Sequence, residues 1–189
     1  MNQRPTVRPR PGRSASTLDA SAWSLFETAV GWVGVCGTPR GGVLRTCVGY
    51  ASPGALVQAL ERIDSAPFED DWCPELRERL CRYLAGHADD FQDVKVGATW
   101  STDFQRRVIA ALRQVPCGAT LSYQELAARA GRPKAARAVG QVMATNPVPL
   151  IVPCHRVLGS GGRLGGFSAP TGLDLKRRLL ELEGLRAEG

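Results

Sequence analysis

An α+β protein in two parts is what this sequence predicts: a small N-terminal α/β domain with an antiparallel sheet and helices, then a helical C-terminal domain with a helix-turn-helix. Three observations lead there. Short β-prone runs separated by glycine and proline fill residues 23–50, apolar residues then recur at helical spacing, and from Ser101 onward helices are joined by tight, proline-marked connections. A chain of 189 residues has room for one or two domains with a real core. The expected division is a basic tail over 1–20, the α/β domain over 21–98 and the helical domain over 99–189.

The opening MNQRPTVRPRPGRSAS has four arginines, three prolines and no acid, which predicts a disordered tail and also permits a transit-peptide reading. WSLFETAVGWVGVCGTPRGGVLRTCVGY (23–50) has the texture of a hairpin or small meander turning at Gly-Thr-Pro-Arg-Gly-Gly. PGALVQALERI (53–63) carries Leu56, Leu60 and Ile63 at helical spacing, with Pro53 suited to a first turn. A second helix is expected over 73–86, with Leu76, Leu80, Tyr83 and Leu84 as its apolar stripe. Phe104, Val108, Ile109 and Leu112 share one face of a helix over 101–115. Ser122 followed by Glu125 is a capping box, so the next helix begins near Tyr123. Its partner should run from about Lys134 to Thr145, because Pro147 biases Asn146 away from helical geometry. Two short helices around Gly131-Arg132-Pro133 are the helix-turn-helix.

The net charge is +6, which favours a polyanionic partner. Between Leu126 and Leu173 there is no acid, whereas Arg129, Arg132, Lys134, Arg137, Arg156 and Arg163 all fall there, so this stretch is the expected electrostatic footprint. On the second helix Val139, Val142 and Met143 face inward, and Arg137 lies about 200° from Val139 and points outward. Its neighbours Ala135, Ala136, Ala138 and Gly140 are small enough for another backbone to come close. An outward cation on such a face suits nucleic acid, although a solvated arginine on an alanine-rich helix has the same spacing. No apolar run is long enough to span a membrane and the start lacks a secretory core, so a cytoplasmic protein is expected. The six cysteines are scattered without a CxxC pair, which argues for reduced thiols over a disulfide framework.

LIVPCHRV (150–157) sets Cys154 beside His155, one of two histidines in the chain. A thiol needs a base or a positive field to become a working nucleophile. Neighbours in an extended segment point to opposite faces, so the proton would pass between them through a water. The histidine then needs an acid to fix its tautomer. In GLDLKRRLLELEG, read as a helix, Leu175, Leu179 and Leu182 face inward; Glu183 borders that stripe and Glu181 points away, which makes Glu183 the better orienting acid.

From Thr102 to Gly184 the chain closely resembles the O6-alkylguanine-DNA alkyltransferases. The matching segments are TDFQRRVIAAL, VPCGATLSYQELA, GRPKAARAVGQVMATNPVP, IVPCHRV, GGRLGGFSAPTG and KRRLLELEG. The resemblance implies a ribonuclease H-like N-terminal domain, a winged-helix-like C-terminal domain and single-turnover transfer of an alkyl group from guanine O6 in double-stranded DNA to Cys154. It implies activation of Cys154 by His155 through a water, polarisation by Glu183, bracing by Asn146 and proton donation by Tyr123 toward guanine N3. Arg137 would fill the gap left by a flipped nucleotide, with Ala135, Ala136, Ala138, Gly140, Arg132 and Lys134 along the DNA face in the minor groove. Val157, through its backbone, and Ser168 would hold the flipped base, with Phe167 at the pocket wall. Phe167 stands where many members have tyrosine, and SAPTG replaces the more usual glycine pair. No cofactor is expected, and no zinc, since His87 is the only other histidine and the cysteine spacings fit no zinc site. The protein is expected to act as a monomer. Rival readings are a lesion-binding protein without transfer activity, a helix-turn-helix transcriptional regulator and a papain-like Cys-His hydrolase.

Overall fold

The structure, a computed structural model, describes residues 21–38, 40, 42–61, 66–69 and 72–185. The expected tail and Ile63 lie outside the described residues. Three strands, β1 (Ala22–Thr28), β2 (Gly31–Thr38) and β3 (Gly42–Tyr50), form an antiparallel sheet in the order β1-β2-β3. β2 and β3 pair from Thr38 opposite Gly42 to Trp32 opposite Tyr50, and a turn at Ala29 and Val30 joins β1 to β2 in register from Thr28 opposite Gly31 to Ala22 opposite Gly37.

Helix α1 (Pro53–Glu61) lays Leu56 and Leu60 against Trp23 and Cys36 in a small core of their own. Helix α2 (Pro74–Leu84) begins with proline in its first turn and buries Leu80, Tyr83 and Leu84. Helix α3 (Asp103–Arg113) starts where Thr102 and Gln105 close a capping box, and buries the four residues expected of it. The short strand β4 (Leu121–Ser122) leads into α4 (Tyr123–Arg129), whose Ser122–Glu125 capping box is present as read. Helix α5 is shorter than expected, Ala136–Ala144: the amide of Ala135 donates to the Arg132 carbonyl at 2.9 Å and keeps Lys134 and Ala135 in the turn. A 3-10 turn over Cys154–Arg156 precedes β5 (Val157–Leu158), which pairs in parallel with β4, and α6 (Leu173–Leu182) closes the chain.

The main core does not stop at the link between the two halves. Phe26, Val33 and Val35 of the sheet, Tyr83 and Phe91, and Val108, Val142, Ile151 and Leu179 belong to one buried cluster. Gly49 (φ +81°) marks how closely the halves approach, since a β-carbon there would sit 2.6 Å from a methyl of Leu175. Among the described residues no helix is long and apolar enough to cross a membrane.

Candidate active site

The loop between α5 and Cys154 is short and held from both sides. Leu150, buried, has φ +74°, a conformation that costs a non-glycine residue about 1–3 kcal/mol and persists only where its surroundings impose it. From within, the Asn146 side chain donates to the Val152 carbonyl at 2.9 Å and accepts from the Val148 amide at 3.1 Å. From the N-terminal sheet, Thr46 donates its amide to Pro147 O at 2.9 Å and its hydroxyl to Pro149 O at 2.6 Å. The chain then enters the 3-10 turn, closed by Arg156 N donating to Pro153 O at 3.0 Å. This corrects the extended conformation expected for 154–156: Cys154 and His155 lie on a helical turn and do not point to opposite faces of a strand.

Cys154 is 7 % exposed. Burial pushes its thiol up, while the Asn146 amide and the Lys176 ammonium pull the other way. The balance is a resting thiol, which needs a base to become a nucleophile. The hydroxyl of Tyr123, half-buried, lies against Gly165, where a β-carbon would come within 2.4 Å of it. Its phenol is raised by burial and then by the nearby Cys154.

His155 is wholly buried, with Nε2 3.0 Å from Glu183 Oε1 and 3.0 Å from the Tyr83 hydroxyl. Tyr83 donates to the same carboxylate oxygen at 2.5 Å. Arg156 forks onto Glu183 through Nε (3.0 and 3.1 Å) and Nη2 (2.8 Å), while its Nη1 donates to Val115 O at 2.6 Å. Burial alone would raise Glu183, but donation from His155, Arg156 and Tyr83 holds it well below the usual carboxylate range. Burial lowers His155 more than Glu183 raises it. The imidazole is therefore neutral, and the ion pair here is Glu183 with Arg156. A carboxylate only accepts, so Nε2 carries the imidazole proton and Nδ1 keeps the lone pair. Nδ1 is buried without a hydrogen-bond partner among the described residues.

Comparison with known proteins gives this geometry a context. Residues 103–185 match the family model described as the DNA-binding domain of 6-O-methylguanine DNA methyltransferase. The methylated-DNA–protein-cysteine methyltransferase of Methanosarcina acetivorans is 38% identical over 86% of this chain and 97% of its own. Its counterpart in Mycobacterium tuberculosis is 41% identical over 75% of this chain and 87% of its own. The chain belongs to this family. Among solved structures, the O6-methylguanine methyltransferase of Mycobacterium tuberculosis aligns with TM-score 0.72 at 35% identity, covering 89% of this chain and 96% of that one. The same organism's protein in complex with DNA aligns at 0.71, covering 88% and 94%.

Seen as a family member, the chain brings together the acceptor candidate Cys154, His155, Glu183, Asn146 and Tyr123, as the sequence led us to expect. Val157 is buried in β5, and its carbonyl already accepts from Lys176 Nζ at 2.6 Å, leaving one lone pair. Phe167 packs on the core's edge, and Ser168 donates to Ala144 O at 3.0 Å. Arg132, Lys134, Arg137 and Ala138 are exposed, Ala135 and Ala136 half-buried. Arg132 also rests over the Phe104 ring at 5.2 Å. Gly140 abuts the Tyr123 ring, so this end of the α5 face meets the site itself. Arg156 does not belong to the electrostatic footprint where its charge had placed it: at 1 % exposure it is spent on Glu183. Sequence reasoning missed Tyr83, Arg156 and the buried Lys176, which burial lowers to about 8. For Lys176 a signal existed, because it precedes Glu183 by seven residues, two turns along one helix face.

Proposed function

We propose that the protein repairs DNA directly, transferring the alkyl group from O6-alkylguanine in double-stranded DNA to Cys154 once per molecule. The observation that carries the reading is a buried cysteine next to a neutral histidine, which hydrogen-bonds a firmly ionised glutamate, all beside an exposed basic helix face. The relatives named above support it, as does the DNA-bound structure among them.

The target is buried in a stacked duplex, so the nucleotide must leave the stack at a cost of a few kcal/mol. α4 and α5 act as the helix-turn-helix, with Arg137 filling the gap and the small residues of α5 entering the minor groove. Readout there is degenerate, which suits a protein that must scan any sequence. The thiol proton passes through a water to His155 Nδ1; sulfur attacks the alkyl carbon as its bond to O6 breaks; Tyr123 gives a proton to N3, so neutral guanine leaves. The proton taken from sulfur balances the one given to guanine, and the product is a thioether. Asn146 braces the nucleophile; Val157 and Ser168 hold the flipped base, with Phe167 as the apolar wall. The N-terminal part would be ribonuclease H-like and the C-terminal part winged-helix-like, dividing near residue 98. The protein would act as a monomer, in the cytoplasm or wherever the DNA is held.

Intact-mass measurement after incubation with an O6-methylguanine duplex tests this. The wild-type protein should gain one methyl group and stop at one equivalent, and Cys154→Ser should gain none. Binding without a mass change would favour a lesion-binding protein, and continued turnover a hydrolase.

A further inference from the structure

Among the described residues, two side chains from before residue 98 reach into the network around His155. One is Asp90, whose Oδ1 accepts from the Cys117 amide at 2.5 Å and lies 3.4 Å from Arg156 Nη1. The other is Tyr83 on α2, buried, 72 residues from His155 and 100 from Glu183 along the chain. Its ring is fixed edge-on against Phe91, with centroids 5.3 Å apart, so the hydroxyl is aimed and not merely nearby. A phenol has one proton, and Tyr83 gives it to Glu183 at 2.5 Å while its oxygen stays within 3.0 Å of His155 Nε2.

We propose that Tyr83 is a positioning residue for the alkyl transfer, which makes the N-terminal half part of the active site and not only its support. The inference rests on the proposed transfer to Cys154. By donating to Glu183, Tyr83 disperses charge that would otherwise bind the His155 proton more tightly, and so keeps the imidazole free as a base at mildly acidic pH. By lying beside Nε2 it also holds the ring with Nδ1 turned away from the carboxylate. The charged and titratable groups facing this pair are Arg156 on the same turn, Lys176 on α6, Cys154, Cys117 and, through Arg156, Asp90. None of them supplies the Tyr83 hydrogen bond: Arg156 already makes three contacts to the carboxylate.

The test is single-turnover methyl transfer by the full chain, wild type against Tyr83→Phe, from pH 5 to 9, with DNA affinity and melting temperature measured beside it. A hydrogen bond to a charged group is worth roughly one pKa unit, so the acid limb should move up by about one unit and transfer at low pH should slow about tenfold. The alkaline plateau and DNA affinity should stay near wild type. An unchanged profile, or a loss uniform across pH that tracks lowered stability, overturns the role. If Tyr83→Phe does not fold, ¹⁵N NMR of the two histidines in the wild type decides instead. Protonation at Nε2 of His155 is expected; protonation at Nδ1 would make Tyr83 a donor to the imidazole and end the proposal. Failure of the wild-type protein to transfer methyl would instead count against the function proposed above.

Discussion

The buried network around His155 and the exposed face of α5 are built on opposite physical terms. On α5 and the turn before it, the side chains proposed to meet DNA are Arg132, Lys134 and Arg137, exposed, close together in sequence and held by one helix and its turn. Around His155 the partners come from α2, the 3-10 turn and the end of α6, and burial strengthens each interaction while penalising any group left without a partner. The first region can be altered one charge at a time with graded effects. The second is over-determined, and losing one member leaves another stranded.

That contrast orders the expected effects. Replacing His155 by Gln removes the proposed base, and the single-turnover rate should fall by about 10²–10⁴; a loss below tenfold would show that Cys154 finds another base. Replacing Arg156 by Met strands the Glu183 charge, and urea denaturation should show a loss of about 3–5 kcal/mol. A much smaller loss would mean that Glu183 is less dependent on this ion pair than its geometry implies. Lys176 gives a pH signature. Its folded pKa of about 8 lies below the ordinary 10.5, so between those values the unfolded chain binds more protons and stability should rise with pH, by about 3 kcal/mol. Lys176→Met should flatten that rise. On the exposed side, Arg137→Ala should weaken DNA binding about tenfold and reduce the salt slope by about one, with stability unchanged within about 0.5 kcal/mol. If Arg137→Ala instead destabilised the fold as Arg156→Met does, the contrast between the regions would fail.

The same contrast explains what could be read from the sequence. Local rules sufficed for the capping boxes at Thr102 and Ser122, for the inward face of α5 and for the outward Arg137, because each depends on residues within one or two turns. Glu183 was legible because it borders an apolar stripe that must face the core. Arg156 was misassigned because a charge count carries no information on burial, and an acid-free stretch draws its partner from elsewhere in the chain. Tyr83 read as core for sound reasons, since its ring is core; only the fold brings its hydroxyl to residues 155 and 183. The turn over 154–156 was hidden because Pro153 reports on the residue before it and says little about those after it.

In the proposed transfer Cys154 rests as a neutral thiol and gives up its proton only to His155. Thiolate absorbance of the DNA-free protein across pH, with Cys154→Ser subtracted to isolate this one cysteine, measures it directly. We expect the difference signal to titrate above the ordinary thiol range, because burial outweighs Asn146 and Lys176. A Cys154 already ionised at pH 7 would contradict the account, since sulfur would then need no base and the buried arrangement of His155, Glu183 and Tyr83 would have no proton to take.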